Sequence, residues 1–105
     1  MVITDVERGT ARLQVSGELD LSTAPAIERV LADLRAEGLA VDVDLREVEF
    51  ADLPGMRPLW AACLKPGDER VHIVGASVAV RRLVDGVLRV MAERQRADER
   101  AVARV

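Results

Sequence analysis

The sequence predicts an α/β domain in which a small mixed sheet of four to five strands is covered mainly on one side by three to four helices. Segments whose apolar residues alternate, such as 11–16, are interleaved with segments whose apolar residues recur every three to four positions, such as 27–34. Half of the 105 residues are apolar, which is enough for one core. Since we find no linker, repeat or low-complexity stretch, we expect residues 1–105 to form a single domain.

Composition argues against several classes of function. The net charge is −3, so no basic field attracts nucleic acid or anionic lipid. One Trp and one Phe are the only aromatic residues, too few to stack single-stranded bases. The single Cys63 cannot form an internal disulfide. No apolar run is long enough for a signal peptide or a membrane span, so we expect a cytoplasmic protein.

The first third of the chain predicts a hairpin followed by a helix. Strands at Val2–Glu7 and Ala11–Ser16 are separated by a Gly-containing turn. A helix then follows a cap at Ser22 or Thr23, because hydroxyl side chains satisfy free N–H groups at a helix start. Pro25 falls in its first turn, where a missing N–H costs little, and Gly38 is expected at its end.

The middle of the chain predicts a strand, an acidic loop and a short helix. The strand covers Leu39–Leu45 and continues through Val48 and Phe50. We expect the next helix to begin near Pro58, since proline is tolerated only in a first turn and disfavours helical angles in the residue before it. That helix would have about two turns and end in a type II turn at Pro66-Gly67.

The last third predicts a buried strand at Val71–Gly75 and a helix capped by Ser77. Two alternatives remain for the end of the chain. Residues 88–92 could form a strand followed by a helix from Ala97, or Val87–Val105 could form one long helix. The apolar faces together predict a core made of Leu13, Val15, Ile27, Val30, Leu31, Leu34, Val43, Leu45, Leu59, Trp60, Val71, Ile73, Leu83 and Val84.

The loop at residues 49–56 joins a strand to a helix, and the N-terminal end of a helix favours anions. This loop contains no Ser, Thr, Tyr, Cys or His, so it has the setting of a charge switch without a reactive group. Four aspartates near strand ends (Asp20, Asp42, Asp44 and Asp52) raise the alternative of a metal site, but solvated strand ends and a helix cap explain them better. No catalytic motif is present, and we predict no enzyme activity, cofactor or metal.

Three stretches of this sequence resemble the STAS domain, the module of anti-sigma-factor antagonists. They are Val15–Pro25, Val43–Asp52 and Val74–Leu83, and together the similarity covers nearly the whole chain. The resemblance implies a small mixed sheet with helices mainly on one side. It also implies a bacterial regulator of transcription that acts by binding other proteins.

The central loop departs from the family pattern. Antagonists of this family read Asp-Ser-Ser/Thr-Gly there, and a partner kinase phosphorylates the second hydroxyl residue. Asp52 and Gly55 match that pattern, whereas Leu53 and Pro54 do not, and Pro54 stands where the phosphorylated residue is expected. The resemblance therefore implies a binding module that is not switched by phosphorylation at this loop.

Two binding roles follow from the resemblance. In the first, the chain engages an anti-sigma factor or a serine-kinase-like regulator. In the alternative, it is the small cytosolic STAS subunit of a bacterial lipid-transport ABC complex and binds the ATPase. Homodimer formation is left open, and neither nucleic acid nor membrane insertion is expected. The predicted partner-binding residues are Asp20, Ser22, Asp52, Leu53, Pro54, Gly55, Met56 and Arg57.

Overall fold

Four strands and three helices alternate along the chain in this computed structural model, which describes residues 1–65 and 68–103. The elements are β1 (Val2–Glu7), β2 (Thr10–Leu19), α1 (Ala24–Ala36), β3 (Ala40–Ala51), α2 (Leu53–Cys63), β4 (Val71–Ala76) and α3 (Val78–Ala103). The sheet order is β1-β2-β3-β4, with β1 antiparallel to β2 and the other pairs parallel. The mixed sheet with helices is the predicted fold class.

The first hairpin closes through a two-residue turn at Arg8-Gly9. Both residues have positive φ, 51° and 82°, which is the backbone of a type I′ turn and matches the twist of paired strands. Helix α1 ends at Ala36 and is followed, as predicted, by Gly38, whose φ of 75° turns the chain so that the N–H of Leu39 donates to the carbonyl of Leu34 at 3.2 Å. Local chemistry thus determines both boundaries.

One apolar core joins the sheet to all three helices. Its buried members include Leu13 and Val15 from β2, Ile27 and Leu31 from α1, and Val80 from α3. Of the predicted core, nine residues are buried, and Val30, Trp60, Leu83 and Val84 are partly buried against it. Ile73 is the exception, at 37% exposure, because it lies on β4, an edge strand with a neighbour on one side only.

Helix α2 begins at Leu53, so the predicted start near Pro58 is wrong. The helix has 11 residues and contains Pro58 in its interior. Asp52 supplies the cap that the proline argument did not take into account, and Met56 and Leu59 bury one face of the helix on the core. Packing and capping therefore outweigh the lost hydrogen bond at Pro58. The predicted turn at Pro66-Gly67 lies outside the described residues.

Helix α3 runs without a break from Val78 to Ala103, so the alternative of a strand at 88–92 is wrong and the continuous helix is confirmed over the described residues. Ser77 caps the helix as predicted, its Oγ accepting a hydrogen bond from the N–H of Val80 at 3.3 Å. From Leu88 to Val102 every residue is exposed. This half of α3 therefore projects past the sheet.

Asp44 is buried, with 1% exposure, although the sequence suggested a solvated face of a strand. Arg12 on the neighbouring strand and Arg46 two residues later donate hydrogen bonds to its Oδ2, at 2.8 and 2.7 Å. The hydrogen bonds from Arg46 and Arg12 hold the pKa of the Asp44 carboxyl well below its usual range. The pairing of β2 with β3 brings this cluster together, and the sequence does not reveal it.

Candidate partner-binding site

The starts of α1 and α2 lie side by side at one edge of the sheet. Strands β2 and β3 are parallel neighbours, and Leu19 pairs with Ala51 at their carboxyl ends. The N–H of Asp52 donates to the carbonyl of Leu19 at 3.1 Å, which ties the second connection to the first. The predicted site residues from the two loops are therefore brought together.

Asp52 starts α2 through two hydrogen bonds. Its Oδ1 accepts from the N–H of Gly55 at 2.9 Å, and its carbonyl accepts from the N–H of Met56 at 3.0 Å. Asp52 itself has extended backbone angles, as an N-cap residue does. Pro54 falls within the first turn, where its missing N–H breaks no hydrogen bond. The role of Asp52 in this structure is thus to fix the loop.

Leu53 and Pro54 form an exposed apolar surface, which we call the tip. The Leu53 side chain is 47% exposed and Pro54 is also exposed. Arg57, one turn further on, is exposed as well and makes no ion pair with the described residues. The tip thus presents apolar area beside a positive charge.

Gly55 and Met56, two of the predicted partner-binding residues, are buried. Met56 has 0% exposure and belongs to the core. A Cβ on Gly55 would lie 2.0 Å from the carbonyl oxygen of Leu19. Glycine is needed there because α2 passes directly against the end of β2. The two residues position the tip rather than form it.

The start of α1 is built from polar side chains. Asp20 Oδ1 accepts hydrogen bonds from Ser22 Oγ at 2.6 Å, from the N–H of Ser22 at 2.9 Å and from the N–H of Thr23 at 3.1 Å. Thr23 Oγ1 in turn accepts from the N–H of Asp20 at 2.9 Å. The hydrogen bond from Ser22 is the main cause that lowers the pKa of Asp20. Asp20 and Ser22 thus hold their own loop in place.

An apolar groove that the sequence analysis did not identify adjoins the tip. It has a volume of about 370 Å³ between the start of α2 and the middle of α3. Leu53 lies on one side, and Leu83, Val87, Val90 and Met91 lie on the other. The signal in the sequence is the helical spacing of apolar residues beyond Val84, where packing on the sheet has ended.

The remaining candidate groups take no part in the site. Among residues 1–65 and 68–103, no group of three or more His, Cys, Asp or Glu side chains could hold a metal ion. His72 is exposed. Cys63 is partly buried, and burial raises the pKa of its thiol. None of the described helices combines the length and the apolar character that crossing a bilayer requires.

Known proteins resemble this chain in sequence. The chain matches the family model described as "Mlab, STAS domain" over residues 3–99. An anti-sigma-B factor antagonist of Staphylococcus epidermidis is 38% identical over 77 residues, which cover 70% of each protein. The anti-sigma-B factor antagonist of Staphylococcus aureus is 34% identical over 77 residues, which again cover 70% of each protein.

A solved structure supports the same assignment. The crystal structure of an anti-sigma factor antagonist from Mycobacterium paratuberculosis superposes with a TM-score of 0.72 and 30% sequence identity. The match covers 83% of this chain and 76% of that one. The sheet order, the helices and the sequence therefore agree, and this chain belongs to the STAS domain family.

Proposed function

We propose that this chain is a non-catalytic protein-interaction module, similar to the anti-sigma-factor antagonists, that binds a regulatory partner through the tip and is not phosphorylated at that loop. The observation that carries the proposal is the exposed Leu53-Pro54 surface at the start of α2. The resemblance to antagonists implies that a phosphorylated Ser or Thr is expected at this position, where the chain has Pro54.

The chemistry of the loop supports constitutive binding. Residues 49–58 contain no Ser, Thr or Tyr, so none of them offers a hydroxyl group to a kinase. Pro54 fixes its own φ and restricts Leu53 before it, which reduces the conformations that the free loop has to lose on binding. The Asp52 cap holds both residues in the first turn of the helix. The tip is therefore preorganised in one chemical state.

The neighbouring surface supports a protein as the ligand. The tip continues into the apolar groove that Val87, Val90 and Met91 line, and Arg57 adds a charge at its side. Contiguous apolar surface rimmed by polar groups is typical of protein–protein contact sites. Asp20 and Ser22 lie at the adjacent helix start and stay in the proposed site as its polar border.

The test requires the native partner, which a pull-down from the host followed by mass spectrometry would identify. We expect Leu53→Asp to weaken partner binding at least tenfold, because it buries a carboxylate where the partner meets an apolar side chain. The new carboxylate lies at the N-terminal end of α2, where it favours the helix, so folding is preserved. Isothermal titration calorimetry measures both the affinity and the number of sites.

Leu64→Asp is the matched control. Leu64 is exposed too, but it lies at the opposite end of the same helix. We expect this variant to bind the partner as the parent does. If Leu53→Asp also binds with the parental affinity, the tip is not the interface.

A second candidate function is the small cytosolic STAS subunit of a bacterial lipid-transport ABC complex. The loop without a hydroxyl group favours it equally, because a subunit that only braces an ATPase needs no phosphorylation. The protein that co-purifies separates the two functions. An anti-sigma factor or serine-kinase-like regulator supports the first, and an ABC ATPase supports the second.

A further inference from the structure

A second and larger groove runs along the surface between α1 and α2. Its volume is about 650 Å³, and it starts at Pro54, which is part of the tip. Most of its lining is apolar and small. The lining residues are Leu21, Ala24, Pro25, Glu28, Leu31, Ala32, Arg35, Pro54, Arg57, Pro58, Ala61, Ala62 and Lys65.

The charges along this groove are mostly positive, although the chain as a whole carries −3. Arg57 and Lys65 lie on the α2 side, and the segment from Leu53 to Lys65 contains no acidic residue. Neither cation forms an ion pair with residues 1–65 or 68–103. Arg35 is paired with Asp68, and Glu28 is the single acidic residue in the lining. An occupant with negative charge facing α2 is therefore favoured.

The shape of the groove fits a helix. Within α2, the lining residues Pro54 and Ala62 are eight residues apart, about 12 Å, which is about two turns of a helix. The small side chains of Ala32 and Ala61 allow another backbone to approach closely. No strand residue lines the groove, so an extended peptide would find no sheet edge for its backbone N–H and C=O groups. A helix satisfies these groups internally.

We propose that the groove between α1 and α2 binds an acidic amphipathic helix of the partner protein. The inference rests on the proposed function, since the groove extends the docking surface from the tip along α2. The helix places its apolar stripe on the Ala- and Pro-rich floor. Its carboxylates lie along one flank, opposite Arg57 and Lys65.

The two kinds of contact have different effects. Exposed ion pairs contribute little binding free energy each, so the apolar stripe supplies most of the affinity. The charges determine which helices are accepted, because a basic helix would meet like charges on α2. The proposal therefore predicts selection by the sign of charge, which apolar contact alone does not produce.

Two synthetic peptides test the proposal by titration into the isotopically labelled protein, followed by amide chemical shifts. Both are acetylated, amidated, 15-residue helices with the same leucine stripe. Glutamates flank the stripe in one, and lysines replace them in the other. We expect the acidic peptide to give saturable shifts at Ala32 and Ala61 and to bind at least tenfold more tightly than the basic one.

Charge reversal on α2 should invert this preference. In Arg57→Glu/Lys65→Glu we expect the basic peptide to bind more tightly than the acidic one. The matched control is Arg89→Glu/Arg96→Glu, which changes the net charge equally on exposed positions of α3 outside the groove. It should keep the preference of the parent. Equal binding of both peptides, shifts confined to other surfaces, or no saturable shifts would overturn the proposal.

The native partner separates this proposal from the proposed function. We expect Arg57→Glu/Lys65→Glu to lower the affinity for the native partner at least tenfold. If Leu53→Asp weakens binding of the partner and the charge reversal does not, the tip remains the interface and the groove proposal fails. If only the charge reversal weakens binding of the partner, the groove proposal is supported and the proposed role of the tip in binding is wrong. Binding of the protein to anionic lipid vesicles without peptide shifts in the groove would point to a membrane surface and would also overturn the proposal.

Discussion

The starts of α1 and α2 lie side by side at the carboxyl edge of the sheet, and each combines an aspartate with a proline in the first turn. At α1, Asp20 and the hydroxyl groups of Ser22 and Thr23 are hydrogen-bonded to one another and to the backbone. At α2, Asp52 alone caps the helix, and the next two side chains make no hydrogen bond in the structure. A polar network thus holds the turn before α1, where Thr23 makes no side-chain cap, whereas a single side chain caps α2.

At α2, the residues that stabilise the start of the helix therefore differ from the residues that form its exposed surface. Asp52 and Gly55 hold the helix start, so Leu53 and Pro54 are not required for it and are available for contact with another molecule. At α1 the hydroxyl groups are part of the loop itself, and changing them alters the loop. We infer that the side chains of the tip can vary without loss of the fold.

The largest expected effect is at Gly55, where the close approach of α2 to β2 holds the two helix starts together. Gly55→Ala places a Cβ 2.0 Å from the carbonyl oxygen of Leu19, and backbone atoms have to move. We expect the free energy of unfolding to fall by about 3 kcal/mol, the upper part of the range for overpacking. Urea denaturation measures it.

Gly86→Ala is the matched control for that variant. A Cβ at Gly86 meets no atom within 4 Å, and Gly86 lies inside α3. Alanine should therefore stabilise the protein by up to about 1 kcal/mol through its higher helix propensity. Equal stabilities of the two variants would show that α2 does not pass against β2 as described.

A smaller change in the free energy of unfolding is expected for variants of the Asp52 cap and of the tip, and it should differ between them. Asp52→Ala removes the acceptor for the N–H of Gly55 and should lower the free energy of unfolding by about 1 kcal/mol. Leu53→Ala changes an exposed side chain and should alter it by less than about 0.5 kcal/mol. Thermal unfolding of both variants under one set of conditions measures the difference. A larger loss for Leu53→Ala would mean that the tip stabilises the fold.

The smallest effect concerns the acid titration of the α1 start. The pKa of Asp20 is lowered, mainly by the hydrogen bond from Ser22. Its contribution to stability is therefore present above the usual carboxyl pKa of about 4 and is lost as the pH falls through the lowered value. Ser22→Ala should raise the pKa of Asp20, as followed by the carboxyl carbon resonance. An unchanged titration would show that this hydrogen bond does not form in solution.

Sequence reasoning predicted the elements whose boundaries depend on local chemistry. The hairpin turn, the end of α1 at Gly38 and the cap at Ser77 each need only a few neighbouring residues. The fold class followed from apolar periodicity and from the family resemblance. The assignment of the partner-binding site to the start of α2 stays a prediction.

Sequence reasoning gave wrong predictions where contacts between residues distant in the chain determine the structure. Pro58 suggested a late helix start, but the Asp52 cap and the burial of Met56 carry α2 through it. Met56 was among the predicted partner-binding residues, and the structure buries it in the core. The buried Asp44 depends on the pairing of β2 with β3, which brings Arg12 beside it and which no local pattern shows.

The central claim is that this chain binds its partner through the tip and is not switched by phosphorylation at that loop. Pro54→Ser places a hydroxyl group at the start of α2, where a phosphate would add about −1.5 to −2 charges beside Asp52. The most direct measurement is the affinity of the native partner, with its kinase and ATP present or absent, for the parent protein and for this variant. We predict that ATP leaves the parent unchanged and weakens the variant at least tenfold, with phosphate mapped to residue 54 by mass spectrometry. If the variant phosphorylated at residue 54 keeps the parental affinity for the partner, the tip is not the interface and the claim is contradicted.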